Sequence, residues 1–541
     1  MNGAHIAQEA SPAMPLPDAM DQQVAIAFLM SAAAHAAPDG CVVERIDTHA
    51  AMIFLCGDHV VKLKRAVNLG YLDFSTVERR RTACEAEVRL NRRTAPQLYC
   101  GTRAIVRRAD GAVGFGGGTG GAEILDWVVE MRRFPADALL ADVAARGGMG
   151  APMLRDLADA IARFHGLAAV VPEAAGAARF RAVIAGNGRA FAALPPGTLP
   201  MAQVAQVQAD TLAMLDRHAA LLDARGRAGA VRHCHGDLHL ANICLWDGHP
   251  VLFDCLEFDE ALATTDVLYD LAFLLMDLWV RGDRHAANLV FNRYCDIAEA
   301  EDGVPVLPLF LSVRAAIRAH VCAAGAARQA DPAARAARLA EAQAYLDAAC
   351  AFLAPVSATL VAVGGLSGTG KSTLAGGLAP LIGAPPGARW LRSDVLRKRL
   401  AGVAPEDRLP PASYTPEASA AVYATLEARA AALLAAGWPV VVDAVFAKGP
   451  ERDRIAALGA DGAAPWVGLW LDAPRDVLMA RVGARTGDAS DAGPAVVAQQ
   501  WAYDRGDLGE WRAVDASGPP NEVLTRACEI LAQRPFILQK P

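Results

Sequence analysis

Short apolar runs separated by polar turns mark the first ordered part of the chain. Residues 1–20 are rich in Pro and Ala and read as a loose tail, after which QQVAIAFLMSAAAHA, following Asp21, predicts a first helix. Apolar runs at 42–46, 51–56 and 59–63, the last two joined by Gly57-Asp58, predict antiparallel strands of a small sheet. TVERRRTACEAEVRLNRR at 76–93 carries its charges at helical spacing and predicts one exposed helix. Strands predicted near 102–107 and 122–130 flank GAVGFGGGTGG, which reads as a flexible hairpin turn because no lysine or helix start follows its glycines. Helical signals dominate from about 135 to 230, a strand-and-loop segment fills 231–258, and helices resume to about 350. A mostly antiparallel sheet followed by a larger helical region describes a bilobed α+β domain over 21–350.

The pattern changes after AFLAPVSA. Taking 351–357 as a linker, the segment 358–541 alternates strand and helix signals: a strand at 359–363, a helix from Lys371, a strand at 389–393, a helix at 416–436, a strand at 439–444, a helix after Gly449, a strand at 466–471 and a helix from Pro474. That alternation predicts a parallel, doubly wound sheet, an α/β three-layer domain. The length of 541 residues fits two large domains better than one core.

Charge and cysteine usage narrow the chemistry. With 52 Lys and Arg against 59 Asp and Glu, the net charge of −7 offers no global attraction to nucleic acid or to an anionic membrane, so any basic site is local. The 11 cysteines include no C-x-x-C pair and no metal-ligand spacing, and read as reduced core thiols. The N-terminus lacks a basic leader with an apolar stretch behind it, and no run approaches about 18 uninterrupted apolar residues. A cytoplasmic protein is expected. His165 reads as a packed helix-end residue, and His233 and His239 as groups that satisfy loop backbone.

Gly365-Leu366-Ser367-Gly368-Thr369-Gly370-Lys371-Ser372 matches G-x-x-x-x-G-K-[ST], with Thr373 next, directly after a predicted strand and at the start of a predicted helix. In that context the backbone N–H groups curl around a β-phosphate, the helix N-terminus adds positive charge, Lys371 reaches the β/γ oxygens and Ser372 ligates Mg²⁺. Asp394 ends the next strand and Arg397 follows one helical turn later. This D-x-x-R arrangement resembles small P-loop kinases of the polynucleotide-kinase, zeta-toxin and gluconate-kinase type. The resemblance implies that Asp394 accepts a proton from an acceptor hydroxyl and Arg397 steadies the acceptor; a helix N-cap is the bland alternative for Asp394. Asp443 closes the strand VVVD and reads as holding a Mg²⁺-bound water or an acceptor, or else as a turn residue. Arg481 and Arg485 resemble the lid arginines of such kinases, with a solvated helix face as the alternative.

In the first half, His235-Gly236-Asp237-Leu238-His239-Leu240-Ala241-Asn242 precedes the apolar strand VLFD, which ends at Asp254. The spacing follows the H-R-D-x-x-x-x-N and Asp logic of protein kinases. Gly in place of Arg, and Leu-His after the Asp, resemble the aminoglycoside-phosphotransferase and choline-kinase branch, and the block HGDLHLANICLWDGHPVLFDCLEFDE with DVLYDLAFLLMDL resembles a bacterial phosphotransferase-like domain fused to a P-loop kinase. The resemblance implies that Asp237 is the catalytic base, Asn242 and Asp254 are metal ligands, and Lys62 in HVVKLK contacts the α/β-phosphates, with Lys64 as the other candidate on the same strand face. Its partner is expected to be Glu87 in preference to Glu85. Glu257 and Asp259 read as solvated loop carboxylates, or as helpers for a second metal or a cationic acceptor.

Together these features imply an ATP-dependent phosphotransferase with two ATP·Mg²⁺ sites acting on a small-molecule hydroxyl. The alternatives are an ATP-binding switch with little transfer, and a polynucleotide 5′-hydroxyl kinase activity of the second domain, which the absence of a basic tract disfavours.

Overall fold

The computed structural model describes residues 19–37, 42–48, 50–68, 72–116, 122–172, 175–327, 329–355, 357–461, 464–484, 489–503, 505–534 and 538. Most of the predicted tail therefore lies outside the described residues. Helix α1 (Ala19–Leu29) is shorter than the predicted first helix, because the chain tightens at Ser31, whose Oγ donates to Phe28 O at 2.6 Å, and continues as a 3₁₀ turn over Ala32–His35.

Strands β1 (Glu44–Asp47), β2 (Ala51–Cys56) and β3 (His59–Lys64) run in antiparallel register, followed by α2 (Val77–Asn91), β4 (Tyr99–Arg107), β5 (Val113–Gly116) and β6 (Glu123–Arg132). The sheet order is β1-β2-β3-β6-β4-β5. Part of the predicted glycine turn is thus strand: Val113–Gly116 pairs with β4, and only 117–121 of that segment lies outside the described residues.

The prediction of α2 as an exposed helix needs correction. Thr76 caps it by accepting from Arg79 N at 3.3 Å, and one face is buried through Arg80, Cys84, Glu87, Leu90 and Asn91. Arg80 and Glu87 share that face because seven residues make about two helical turns. Each charge meets a partner inside: Arg80 Nε donates to Asp126 Oδ1 at 2.7 Å with both side chains fully buried, and Glu87 meets Lys62. A pattern that reads as solvated is here an inward charged face.

Helices α3 (Leu140–Ala145), α4 (Ala151–Leu167), α5 (Gly176–Ala192) and α6 (Met201–Arg227) come next. Four short strands follow, β7 (Val231–His233), β8 (Ile243–Trp246), β9 (His249–Leu252) and β10 (Thr264–Asp266), with α7 (Glu260–Ala263) before the last. Helices α8 (Val267–Val280), α9 (Arg284–Ala298), α10 (Leu307–Ala326) and α11 (Pro332–Phe352) complete the helical region. Ala300–Ala326 is the one stretch among the described residues long and apolar enough to cross a membrane, and 78% of its apolar window is buried, as in a core helix. His165 is buried, with its two ring nitrogens engaged by Tyr294 OH at 2.9 Å and Asp270 Oδ2 at 3.0 Å. It is a packed helix-end residue, as its position in the sequence implies.

The last part is β11 (Leu360–Gly365), α12 (Lys371–Leu378), β12 (Arg389–Arg392), α13 (Ser393–Leu400), α14 (Pro416–Ala435), β13 (Val440–Asp443), α15 (Gly449–Asp461), β14 (Trp466–Asp472), α16 (Arg475–Gly483), α17 (Pro494–Trp501), β15 (Arg512–Asp515) and α18 (Pro520–Ala532). The five strands are parallel in the order β12-β13-β11-β14-β15. β11 is flanked on both sides, and its six residues are all buried, so the phosphate loop rises from the centre of the sheet.

The two compact units do not follow chain order. One comprises Met1–Gly148 with His235–Thr264; the other comprises Met149–Cys234 with Thr265–Pro541, so the helical region and the parallel sheet belong to one body. The described cysteines are all free; seven are buried, Cys350 and Cys528 are half-buried, and Cys100 is exposed, which corrects the expectation of core thiols throughout.

His320 on α10 packs its ring edge-on against Phe191 at 5.4 Å, and burial lowers its pKa to about 4. A histidine held neutral in the fold stabilises fully above its unfolded pKa of about 6.5 and less as pH falls toward 4. His320→Phe is therefore expected to flatten the loss of stability between about pH 6.5 and 4, read as urea midpoints across that range.

Candidate active sites

The first site lies within the unit that holds the antiparallel sheet. Alternation along β3 sends Lys62 and Lys64 to one face, toward α2. Lys62 Nζ donates to Glu87 Oε1 at 2.8 Å and to Asp254 Oδ1 at 2.6 Å. Lys64 is almost fully buried and pairs with the other Glu87 oxygen and with Glu257. The choice between the two lysines therefore resolves into a division of labour around Glu87, with Lys62 the one that also meets Asp254. Burial opposes the charge on Lys62, but Asp254 and Glu87 more than offset it and hold its pKa well above the ordinary lysine value. Burial of Glu87 is outweighed in the same way by the two lysines, which keep its carboxyl below the usual range. Glu257 is not a solvated loop carboxylate: it is largely buried against Lys64, and burial raises its pKa.

The loop after β7 brings the motif residues together. Asn242 Nδ2 donates to Asp237 O at 2.9 Å and to Asp237 Oδ2 at 2.8 Å. Phe253 N donates to Asn242 O at 3.0 Å, which sets Asp254 beside Asn242. Asp254 adopts φ +60°, and its own N–H donates to Tyr99 OH at 3.2 Å. The next amide, Cys255 N, donates to Asn91 Oδ1 on α2 at 2.8 Å, so the loop is tied to the helix that carries Glu87. His239 caps the short turn at 240–242 by accepting from Ala241 N and lies 3.4 Å from Asp237 Oδ2. Asp237, Asn242 and Asp254 are hard oxygen donors around one loop, a set that fits Mg²⁺.

The second site surrounds the phosphate loop. Gly365 at φ +142° has Leu471 O 2.6 Å from where a Cβ would stand, and Gly368 at φ +88° has Leu478 O at 2.8 Å, so no side chain fits at either position. Leu366 is buried, and its carbonyl accepts from Lys371 Nζ at 3.0 Å and from Thr369 Oγ1 at 2.8 Å. Ser372 Oγ donates to Asp443 Oδ2 at 2.5 Å, bringing the first helical turn of α12 to the end of β13. Asp443 is buried, and burial raises its pKa. These two adjoining oxygens suit a hard divalent cation. Thr373, Ser367, Gly370, Asp394 and Arg397 also line the cavity, whose volume is about 1400 Å³.

Asp394 is in the first turn of α13 and is not its N-cap, which is Arg392. Arg397 lies over the Tyr414 ring at 4.9 Å and donates to Ser413 O at 3.0 Å. Arg481 does not point its donors at a phosphate position: Nη1 donates to Ala516 O at 2.7 Å, and Nη2 to Ser517 O at 3.2 Å and Gly518 O at 2.9 Å. It pins the loop after β15, because an arginine's rigid fork of donors suits a row of carbonyls as well as an oxyanion. Arg485 lies outside the described residues.

Two features of the cavity carry no motif. Gln500 on α17 accepts from Ser367 N at 2.8 Å, holding the phosphate loop from a helix 133 residues away. Asp491 collects Lys398 Nζ at 2.7 and 2.8 Å, Tyr414 OH at 2.5 Å and Leu409 N at 3.0 Å, and so ties the loop after α13 to the segment after α16.

Removal of Glu87 leaves two buried ammonium groups without their shared carboxylate. Glu87→Ala is expected to cost about 3–5 kcal/mol, measured by urea unfolding of the full chain.

Residues 151–304 match the family described as "Phosphotransferase enzyme family", and residues 360–504 match the family described as "AAA domain". Uncharacterized proteins of Mycobacterium tuberculosis and Mycobacterium bovis are each 29% identical over 515 residues, covering 92% of this chain and 97% of their own. Among solved structures, a gluconokinase from Sinorhizobium meliloti is 24% identical and covers 32% of this chain and 92% of its own, with a TM-score of 0.25. A choline/ethanolamine kinase family protein from Mesorhizobium loti is 16% identical and covers 61% and 99%, with a TM-score of 0.36. The chain thus carries a segment similar to a phosphotransferase enzyme family followed by a segment similar to an AAA domain, the order that the sequence resemblance implies.

Proposed function

We propose that the chain is an ATP-dependent kinase with two nucleotide sites, each passing a phosphoryl group from ATP to a hydroxyl of a small molecule. The observation that carries this reading is the Lys62 ammonium held between Glu87 and Asp254 beside the Asp237–Asn242 pair. Each part of that arrangement has a task in phosphoryl transfer. Glu87, fixed on α2, keeps Lys62 oriented toward the nucleotide phosphates. Asn242 fixes the Asp237 carboxylate through one oxygen, so that Asp237 can orient an acceptor hydroxyl and take its proton. In the second site the amides of the phosphate loop and Lys371 hold the β- and γ-phosphates, and Asp394 serves as the base with Arg397 beside it. Mg²⁺, when bound through Asn242 and Asp254 or through Ser372 and Asp443, would neutralise charge on the transferring phosphates. The two sites share a logic of positioning and charge neutralisation and differ only in the scaffold that supplies it. A cytoplasmic setting, where ATP and reduced thiols are maintained, agrees with the free cysteines.

A screen of metabolite extract and short oligonucleotides with labelled ATP, run on wild type, Asp237→Asn and Lys371→Ala, tests the reading. Asp237→Asn is expected to remove transfer at the first site by at least about 10²-fold while nucleotide still binds there, and Lys371→Ala to remove nucleotide binding at the second site alone. Nucleotide binding without turnover on any acceptor would replace the kinase with a switch, and labelled oligonucleotide would identify a polynucleotide kinase.

Arg481 separates two roles by kinetics. As a pin for the 516–518 loop, Arg481→Met is expected to raise KM for ATP with kcat changed less than about tenfold. A direct phosphoryl clamp would instead lower kcat by about 10²–10³-fold in steady-state assays.

A further inference from the structure

β12 is an outer strand of the parallel sheet, so half of its peptide groups have no strand to bond with. Arg389 N donates inward, to Pro439 O at 3.0 Å. Alternation then turns the N–H and C=O of Trp390 outward. Both are met. Trp390 N donates to Asn292 Oδ1 of α9 at 2.7 Å, and Trp390 O accepts from Arg389 Nη1 at 2.7 Å. The Asn292 amide also donates to Ala388 O at 3.2 Å, and Asn288, one turn earlier on α9, donates to Ala388 O at 3.1 Å and to Pro386 O at 2.9 Å. A carboxamide carries a donor and an acceptor side by side, as a peptide does, so Asn292 takes the place of a residue in a neighbouring strand.

The Arg389 guanidinium is fully buried and is surrounded by groups from the same helical region. It donates to Asn292 Oδ1 at 2.9 Å, to Glu301 Oε1 at 2.8 and 3.0 Å, and pairs with Asp296. Arg429 also pairs with Glu301, and Arg399 donates to Asp296 O at 2.9 Å. Burial alone would raise the Glu301 pKa, but Arg389 and Arg429 hold it below its usual value. The end of α9 and the turn after it thus form a charged socket for the first residue of β12.

The other end of β12 leads directly into Ser393 and Asp394, and Arg397 stands one turn further along α13. β11, which carries the phosphate loop, is bonded on both sides by β13 and β14 and needs no such cover. We propose that Asn292 and Arg389 are positioning residues of the second active site: α9 sets the placement of β12, and through it the distance of Asp394 and Arg397 from the phosphate loop. The inference rests on the kinase reading for the roles of Asp394 and Arg397. A strand advances about 3.3 Å per residue, so even a partial slip of β12 moves Asp394 beyond hydrogen-bond reach of a hydroxyl held at a fixed phosphate.

The test uses full-length chain carrying Asp237→Asn, so that remaining ATP hydrolysis comes from the second site. Asn292→Leu and Arg389→Met are compared with Arg389→Lys by three measurements: MgATP hydrolysis, affinity for a non-hydrolysable ATP analogue, and amide hydrogen exchange resolved along 360–400. The expected result is a fall in hydrolysis of at least about tenfold with analogue affinity within about threefold, faster exchange over 389–397 with 360–371 unchanged, and partial recovery in Arg389→Lys. Hydrolysis and affinity falling together, with exchange raised through both segments, would show a purely structural anchor and overturn the proposal. Unchanged exchange at 389–397 in Asn292→Leu would overturn it as well. If the parent chain binds the analogue but turns over ATP neither alone nor with any acceptor from the metabolite screen, the kinase reading of this site fails separately. The exchange profile then decides the positioning claim alone.

Discussion

A charged nitrogen taken out of water must meet an anion or several carbonyl oxygens, since an unpaired buried charge costs several kcal/mol. A kinase places cations where phosphates will sit, and each must have a partner in the chain when no nucleotide is there. In the first site Lys62 meets Glu87 and Asp254, but the two carboxylates are not equivalent. Glu87 is fully buried on α2, whereas the Asp254 side chain keeps 39% of its exposure. Under the proposed function Lys62 keeps Glu87 as its buried partner, while the more exposed Asp254 is the carboxylate that would turn to a metal ion. In the second site Lys371 rests on the carbonyl of Leu366, within the loop that would receive the phosphates. Its charge also reaches the buried Asp443 carboxylate, where it opposes the effect of burial.

The same constraint separates cations that can serve a ligand from those that build the scaffold. Arg481 places both terminal nitrogens on three consecutive carbonyls, and Arg389 is enclosed by Asp296, Glu301 and Asn292. Lys398 gives its charge to Asp491. None of the three can be distinguished from a phosphate clamp by residue type. What distinguishes them is where their donors end, and that is decided by elements distant in sequence.

The sites were legible in the sequence where chemistry imposes local spacing. A backbone that wraps a phosphate needs glycine where a carbonyl approaches within about 3 Å, as at Gly365 and Gly368, and a loop that presents Asp237 and Asn242 together needs them one short turn apart. Long-range partners left weaker traces. The Lys62–Glu87 pair depends on strand alternation meeting a helix face, and α2 looked exposed because its inward residues, Arg80 and Glu87, are charged. β5 was hidden in a glycine-rich segment, and β15 is only four residues long with Val514 its one buried residue, too little pattern for a strand signal. Gln500 and Asn292 are lone amides in helices, and nothing local marks a partner 133 or 98 residues away. Alanine-rich helices add to this, since alanine fits either face and blurs the boundary between buried and exposed stripes.

An open edge on a parallel sheet is a row of unmet donors and acceptors, and a protein must cover it, pair it or leave it in water. Here the strand at that edge, β12, also leads into Asp394, so the cover and the site cannot be designed separately. Asn288 and Asn292 supply the cover from a helix of the region that matches the phosphotransferase family, and Arg389 returns the contact with a buried charge. A buried ion cluster of this kind contributes little net stability compared with apolar packing, but it tolerates few alternative registers, because each shift would strand a charge. Specificity of placement is what a strand leading to Asp394 requires if that carboxylate is the base of the proposed kinase. The compact unit that unites 149–234 with 265–541 is therefore better understood as a sheet with its edge completed by the preceding helices than as two modules on a tether.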